Sequence, residues 1–441
     1  MTIMFEKIFK LKENNTTVRK EIVAGIITFL TMSYILIVNP NILSTTGMDK
    51  GALFTATALA TILATLFMAF FTNLPVAQAP GMGLNTFFAF TVVLTMGYKW
   101  EFALTAVFIE GIIFILLTFF NVRELIVKSL PRVLKEAIPV GIGLFITLIG
   151  LKSAGIVVGN DATLLAIGDF STEHVWIALL GLLVTGVLLA LNVNGAILIG
   201  ILASAGFGVI LGEVHLPEGS WVSLPPSIAP IFMKFDWADV FTFDMVIVVF
   251  TFLFVNLFDT VGTLIGVVSK AGFTDEDGNF PQIKKALFAD ALGTTFGAML
   301  GTSTITSYVE SASGVAAGGR TGLTSVSTAG MFVLALFLAP MFSMIPASAT
   351  APALIIVGLF MFTAVAKINF NDMTEAIPAF ITLIFMPFTY SIAQGIVFGI
   401  ISYCLLKIFT GRFKDITVTV YVMTALFLVK LVLDSIHIFQ K

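Results

Sequence analysis

Leu74-Pro-Val-Ala-Gln-Ala-Pro-Gly-Met-Gly-Leu-Asn85 and Gly301-Thr-Ser-Thr-Ile-Thr-Ser-Tyr-Val-Glu310 each open an apolar run, yet neither reads as a helix. In the first, Pro75 and Pro80 remove backbone donors, and Gly81 and Gly83 loosen the chain. In the second, five of the six residues 302–307 are Ser or Thr, and the run continues through Gly314, Gly318 and Gly319 to Arg320. Irregular backbone at membrane depth is tolerated only inside protein or around a cavity. A matched pair of interrupted segments is the best sequence pointer to a substrate site near the bilayer midplane. Close helix packing through Gly, Ser and Thr is the competing reading. It is the weaker one, because the interruption falls third in each half of the chain.

The membrane itself follows from composition. Of 441 residues, 58% are hydrophobic and 11% charged, with a mean hydropathy of +1.04. A soluble domain carries about 25% charged residues and has no means of hiding this much apolar surface. Soluble enzymes, nucleic-acid binders and disordered scaffolds are excluded, and Cys404 stands alone, so no internal disulfide forms. The first apolar run is read as a retained helix rather than a cleaved signal. Spans are expected at 22–43, 52–72, 81–97, 101–120, 137–152, 174–191, 194–212, 242–268, 284–301, 304–318, 323–342, 351–366, 374–388 and 390–409. The stretch 416–436, broken by Lys430 and Asp434, reads as an interfacial helix before a fifteenth span.

Basic residues favour cytoplasmic loops. With the N-terminus inside, seventeen fall in inside loops, including Arg123 and Lys128; only Lys50, Lys99, Lys152 and Lys234 fall outside. The chain also repeats weakly. Residues 130–152 overlay 345–367 at a shift of 215, matching Pro131 with Pro346, Gly143-Leu-Phe with Gly358-Leu-Phe, and Lys152 with Lys367. Thr-Phe-Leu at 28–30 recurs at 251–253. The expectation is an all-α polytopic membrane protein of about fourteen helices in two inverted seven-helix repeats, with the third and tenth helices broken.

Four carboxylates lie within apolar segments: Glu110, Asp259, Asp290 and Glu310. Each costs roughly 2.5–3.5 kcal/mol at a helix centre on insertion scales, so each is a functional candidate. Asp259 is deep in the eighth segment, and Glu310 follows the broken start of the tenth. For Glu110 and Asp290 a structural or gating hydrogen bond is expected, with Lys284 and Lys285 near Asp290 in sequence. The histidines, His174, His215 and His437, fall in loops or the tail, so core proton handling is left to carboxylates and no metal or cofactor is expected. Neither a Walker A sequence nor a hydrolase motif occurs. Asp275-Glu276-Asp277-Gly278 reads as a polar turn rather than a calcium loop. Gly293, Gly297 and Gly301 read as tight packing.

Gln78-Ala-Pro-Gly-Met-Gly-Leu-Asn85, Phe258-Asp-Thr-Val-Gly-Thr-Leu264, Gly301 through Glu310-Ser, and Gly318-Gly-Arg-Thr-Gly-Leu-Thr324 together resemble the hypoxanthine–guanine–adenine permeases, a branch of the nucleobase cation symporters. The resemblance covers about residues 5–410. It implies a core of helices 1–4 and 8–11 and a gate of helices 5–7 and 12–14. The corresponding bounds are a cytoplasmic N-terminus at 1–21, core at 22–120 and 242–342, gate with an outside loop at 121–241 and 343–410, and an interfacial or spanning C-terminal helix at 411–441. Carried over, the family's substrate positions fall on Asn85, Asp259 and Glu310, with Thr263 and Thr304 as neighbouring contacts. Asp259-Thr-Val-Gly-Thr263 lacks the His of the uracil and xanthine branches, which fits the purine branch. The implied activity is purine nucleobase import by alternating access, coupled through Asp259 and Glu310 to a cation, the proton before sodium. An anion exchanger on the same fold is the alternative, disfavoured because two buried acids repel anions. A homodimer through the gate is the family's precedent for assembly.

Overall fold

The computed structural model describes residues 2–120, 131–216, 219–273 and 281–439, without the side chains of residues 2–5, Phe258, Lys430 and 432–439. Arg123, Lys128, the turn Asp275–Gly278 and the side chain of His437 lie outside the described residues. Among those described, nine helices are long and apolar enough to cross a membrane, from Val18–Ser44 to Ile392–Phe409. Four shorter apolar helices accompany them, including Val418–Val429. Ile283–Leu300 is long enough as well but carries Lys284, Lys285 and Asp290 within its 18 residues. The chain is a multi-pass membrane protein.

The chain divides into two compact units. The first comprises residues 1–119 and 149–356, the second 120–148 and 357–441. Residues 149–241 fall with the first unit. Within it, a Cβ on Gly195 would stand 3.3 Å from the Leu30 carbonyl oxygen, so this turn lies against the first span.

In the first unit, in chain order, are α1 (Thr2–Phe9), α2 (Val18–Met32), α3 (Ile35–Ser44), α4 (Lys50–Thr72), β1 (Gln78–Pro80), α5 (Met82–Thr86) and α6 (Trp100–Phe119). A π-helix, Phe87–Thr95, continues α5. α7 (Arg132–Ser153) enters this unit at its end. Then come β2 (Val157–Asn160), β3 (Leu164–Ile167), α8 (Glu173–Ala190), α9 (Ala196–Leu211), α10 (Phe243–Lys270), α11 (Ile283–Leu300), β4 (Ile305–Ser307), α12 (Ser311–Ala316), α13 (Gly322–Ala335) and α14 (Ala339–Ser343). The described residues are all-α apart from two antiparallel pairs of strands of three or four residues each. β2 and β3 form a mostly exposed hairpin between the apolar runs 137–152 and 174–191.

Capping sets the long helices. Asp49 Oδ1 accepts from the Ala52 N–H at 2.7 Å to start α4, and Asn73, in the left-handed region at φ 56°, ends it. Thr242 caps α10 by accepting from the Met245 N–H. α11 ends at Gly301, whose φ of +99° admits no ordinary side chain, and the chain leaves it extended. Gly293 and Gly297 give β4 its seat: a Cβ on Gly297 would lie 3.0 Å from Ile305 Cγ1.

The second unit holds the start of α7, the end of α15 (Ala347–Phe362), α16 (Met373–Phe388), α17 (Ile392–Phe409) and α18 (Val418–Phe439). Two glycines cross here: a Cβ on Gly143 would meet the Gly358 carbonyl oxygen at 2.6 Å, and one on Gly358 would meet the Gly143 carbonyl oxygen at 2.5 Å. Lys407 is fully buried, with its Nζ 3.5 Å from Asp415, 3.6 Å from Glu375 and 3.9 Å from Asp372. Arg412 joins Asp372 at 2.6 Å and Asp415 at 2.8 Å.

Candidate functional site

The two stretches that resist helix formation meet inside the first unit. β1 and β4 pair antiparallel, with Gln78 opposite Ser307, Ala79 opposite Thr306 and Pro80 opposite Ile305. The ladder extends at both ends: Gly81 N–H donates to the Thr304 carbonyl at 2.9 Å, and Tyr308 N–H to that of Ala77 at 3.0 Å. All six strand residues are buried. Hydroxyls take the backbone groups the short ladder leaves over. Thr65 Oγ1 bonds both the N–H and the carbonyl of Gln78, and Thr294 Oγ1 donates to the Ile305 carbonyl. Ser311 Oγ accepts from the Ala77 N–H, and Tyr308 Oη donates to the Pro80 carbonyl at 2.6 Å. Each strand then leads into a short helix, α5 or α12.

Asp259 and Glu310 are only partly buried, and they share electrostatic range with Tyr34 and Tyr308. Tyr34 Oη donates to Glu310 Oε1 at 2.6 Å. Tyr34 stands in the two-residue turn between α2 and α3, within the first span. Among the described residues the Asp259 carboxylate has no hydrogen-bond donor of its own. Gly262, Thr263 and Gly266 continue its side of α10 at helical spacing, none of them buried; a Cβ on either glycine would meet nothing within 4 Å. Asn85 is fully buried on α5, and its Oδ1 accepts a short hydrogen bond from Ser303 Oγ.

Glu110, Asp290 and Thr304 sit apart from that open face, at 0% exposure. Thr304 Oγ1 donates to Glu110 Oε2 at 2.6 Å, so its hydroxyl is engaged within the protein. Asn256 Nδ2 donates to Glu110 Oε1 at 2.9 Å. Thr260 Oγ1 lies 2.9 Å from both Asn256 Oδ1 and Asp290 Oδ1. Gln78 Nε2 donates to Asp290 Oδ1 at 3.1 Å and reaches Ser307 Oγ at 3.3 Å. The partners seen for Asp290 are thus on β1 and α10, while Lys284 and Lys285 are exposed at the start of α11.

One buried acid escaped the sequence reading. Glu21, assigned there to the cytoplasmic N-terminus, is fully buried. Its carboxylate accepts from the N–H groups of Arg320, Thr321 and Thr324 and from the hydroxyls of Thr321 and Thr324. Gly318-Gly-Arg-Thr-Gly-Leu-Thr324 is therefore a carboxylate cradle at the N-terminus of α13, where the helix dipole favours negative charge. The available signal was Glu21 itself, an acid beside the first apolar run and facing a Thr-rich helix start in the other half of the chain.

These features define a multi-pass membrane protein with a polar site beside a crossing of two extended strands. The chain belongs to the Permease family (Xan_ur_permease), whose model matches residues 19–398. It is 45% identical to the adenine permease AdeP of Escherichia coli (strain K12) over 434 residues, covering 98% of this chain and 97% of that one. It is 44% identical to the guanine/hypoxanthine permease PbuO of Bacillus subtilis (strain 168) over 430 residues, covering 96% and 99%. The fold is similar to the transmembrane domain of the cyanobacterial bicarbonate transporter BicA, with a TM-score of 0.63 at 14% identity, covering 85% of this chain and 97% of that one. That likeness concerns the fold alone. The family is one of permeases, not of enzymes.

Proposed function

We propose that the protein is a secondary importer of purine nucleobases, adenine, guanine or hypoxanthine, driven by protons in preference to sodium. The observation that carries this reading is the pair Asp259 and Glu310, two intramembrane acids left partly open beside the crossed strands. A purine is flat and neutral, with donors and acceptors along its edges. An ionised carboxylate accepts its N–H groups; a protonated one donates to a ring nitrogen. The same two groups therefore serve both recognition and coupling. Asn85 and Thr263 complete the edge contacts, and Thr304 supports them from the strand side. The relatives' printed substrates, adenine in one case and guanine and hypoxanthine in another, fit this chemistry.

Fourteen helices in two inverted halves, with breaks in the third and tenth, are the architecture this function asks for. The reciprocal approach of Gly143 and Gly358 supports it. They are equivalent under the 215-residue repeat, and contact between equivalent positions is what a two-fold relation produces. Antiparallel pairing of β1 with β4 supports it too, since it joins the interrupted third segment to the interrupted tenth. Helices 1–4 and 8–11 then act as the core and helices 5–7 and 12–14 as the gate, with a cytoplasmic N-terminus and a homodimer through the gate. The test is uptake of radiolabelled hypoxanthine by cells making the protein, competed by a nucleobase panel with and without a proton uncoupler. Competition by purines but not uracil, and collapse of accumulation with the uncoupler, are expected. Uncoupler-insensitive accumulation that follows sodium overturns the proton assignment.

A further inference from the structure

The chain of contacts from Glu110 to Asp290 is short of a hydrogen. Asn256 Nδ2 faces Glu110, which turns Asn256 Oδ1, an acceptor only, towards Thr260. On its other side Thr260 Oγ1 meets Asp290 Oδ1 at the same 2.9 Å. A hydroxyl has one hydrogen to give. With both acids ionised, that hydrogen serves one contact, and the other sets lone pair against lone pair in a fully buried place. Gln78 ties this chain to the strands: its Nε2 reaches Asp290 and Ser307, the residue opposite it on β4.

We propose that Glu110 and Asp290 share one bound proton inside the first unit, and that the proton's position decides which strand an ionised carboxylate grips. In one arrangement Asp290 Oδ1–H donates to Thr260, Thr260 to Asn256, and Asn256 to ionised Glu110, which holds Thr304 next to β4. In the other, the Asn256 amide is turned over. Glu110 Oε1–H donates to Asn256 Oδ1, Asn256 Nδ2 to Thr260, and Thr260 to ionised Asp290, which holds Gln78 on β1. Each arrangement satisfies every contact in the chain and needs one proton. Two carboxyls linked this way titrate as a pair.

Among the described residues, the ionisable groups seen near this pair are Asp259 on α10, in Coulombic range of Asp290, and beyond it Glu310, Tyr308 and Tyr34. A change of charge at the open face therefore reaches the sealed pair, and through Gln78 and Thr304 it reaches both strands. Glu110 and Asp290 are positioning residues in this scheme. It rests on the importer reading for its role in transport, but not for the proton itself.

Infrared difference spectroscopy of the purified protein in lipid tests the proton without any transport assay. Wild type at neutral pH is expected to show the carbonyl stretch of a protonated carboxyl that disappears in Asp290→Asn and equally in Glu110→Gln. Each amide supplies the hydrogen the shared proton gave, so the remaining acid ionises. If no such band is lost in either variant, or if each removes a separate band, the shared proton is refuted. Thr260→Val keeps both acids and covers the case in which an acid variant fails to insert. It should shift the band, and an unmoved band contradicts the scheme. In uptake, Asp290→Asn should flatten the pH profile with KM within about twofold of wild type; an unchanged pH profile overturns the positioning role while leaving the infrared result intact.

Discussion

The two units hold their buried charge in opposite ways. In the second, Lys407 and Arg412 meet Asp372, Glu375 and Asp415, so cation faces anion and the charges are fixed in place. In the first, the partners seen for Glu21, Glu110, Asp290 and Glu310 are hydroxyls, amides and backbone N–H groups. A carboxylate matched by a cation resists protonation, because losing its charge strands the cation, whereas one held only by neutral donors leaves no unpaired cation behind when it takes a proton. A carrier needs the second kind where substrate and proton bind. The first kind suits an end of the molecule that has only to stay together.

Within the first unit the acids divide again, by openness. Asp259 and Glu310 are partly exposed and thinly partnered, so their neutral replacement strikes binding directly. Asp259→Asn and Glu310→Gln should each cost about 2–3 kcal/mol of purine affinity, roughly 30- to 150-fold. Thermal stability should hold, since the structure gives these groups few contacts to lose. Uptake of labelled purine in parallel with a melting curve checks both halves. Glu21→Ala is the mirror image. It leaves the donors of the α13 start unpaired, and stability should fall by about 2–4 kcal/mol. The variants that insert should keep the KM of wild type, measured by uptake alongside thermal unfolding in detergent. A raised KM with unchanged stability would move Glu21 into the substrate site.

The smallest effect belongs to the second unit. Hydrogen bonds from Thr374 and then Arg412 hold the Asp372 carboxyl far below the usual carboxylate range, and a hydrogen bond from Arg412 lowers that of Asp415. A carboxyl whose folded pKa is depressed contributes stability above its unfolded pKa of about 3.9 and loses it as pH falls towards the folded value. The unfolding temperature should therefore drop as pH goes below about 4. Arg412→Gln should weaken that dependence, as a pH series of melting curves will show.

Much of this was legible in the residues. Proline and glycine at 75–83 and hydroxyls at 302–307 forbid ordinary helices at those places. Intramembrane acids announce themselves against an apolar background. Other parts carry no local signature. That Gln78 lies opposite Ser307 is a long-range pairing, and nothing within either segment states its register. Glu21 was hidden because its partners are backbone N–H groups and threonine hydroxyls 299 to 303 residues away. The hairpin at 157–167 alternates too weakly to read as strands. Tyr34 gains its role only from a contact with Glu310, 276 residues away, which nothing in its own segment announces.

In the proposed function, the open acids of the first unit bind the purine. Equilibrium binding of radiolabelled guanine, hypoxanthine and adenine to purified wild type and to Asp259→Asn, both checked for intact folding, tests it most directly. Saturable binding of at least one purine by wild type, weakened at least about 30-fold in the variant, is the expected result. Equal affinity in the two proteins would contradict the account.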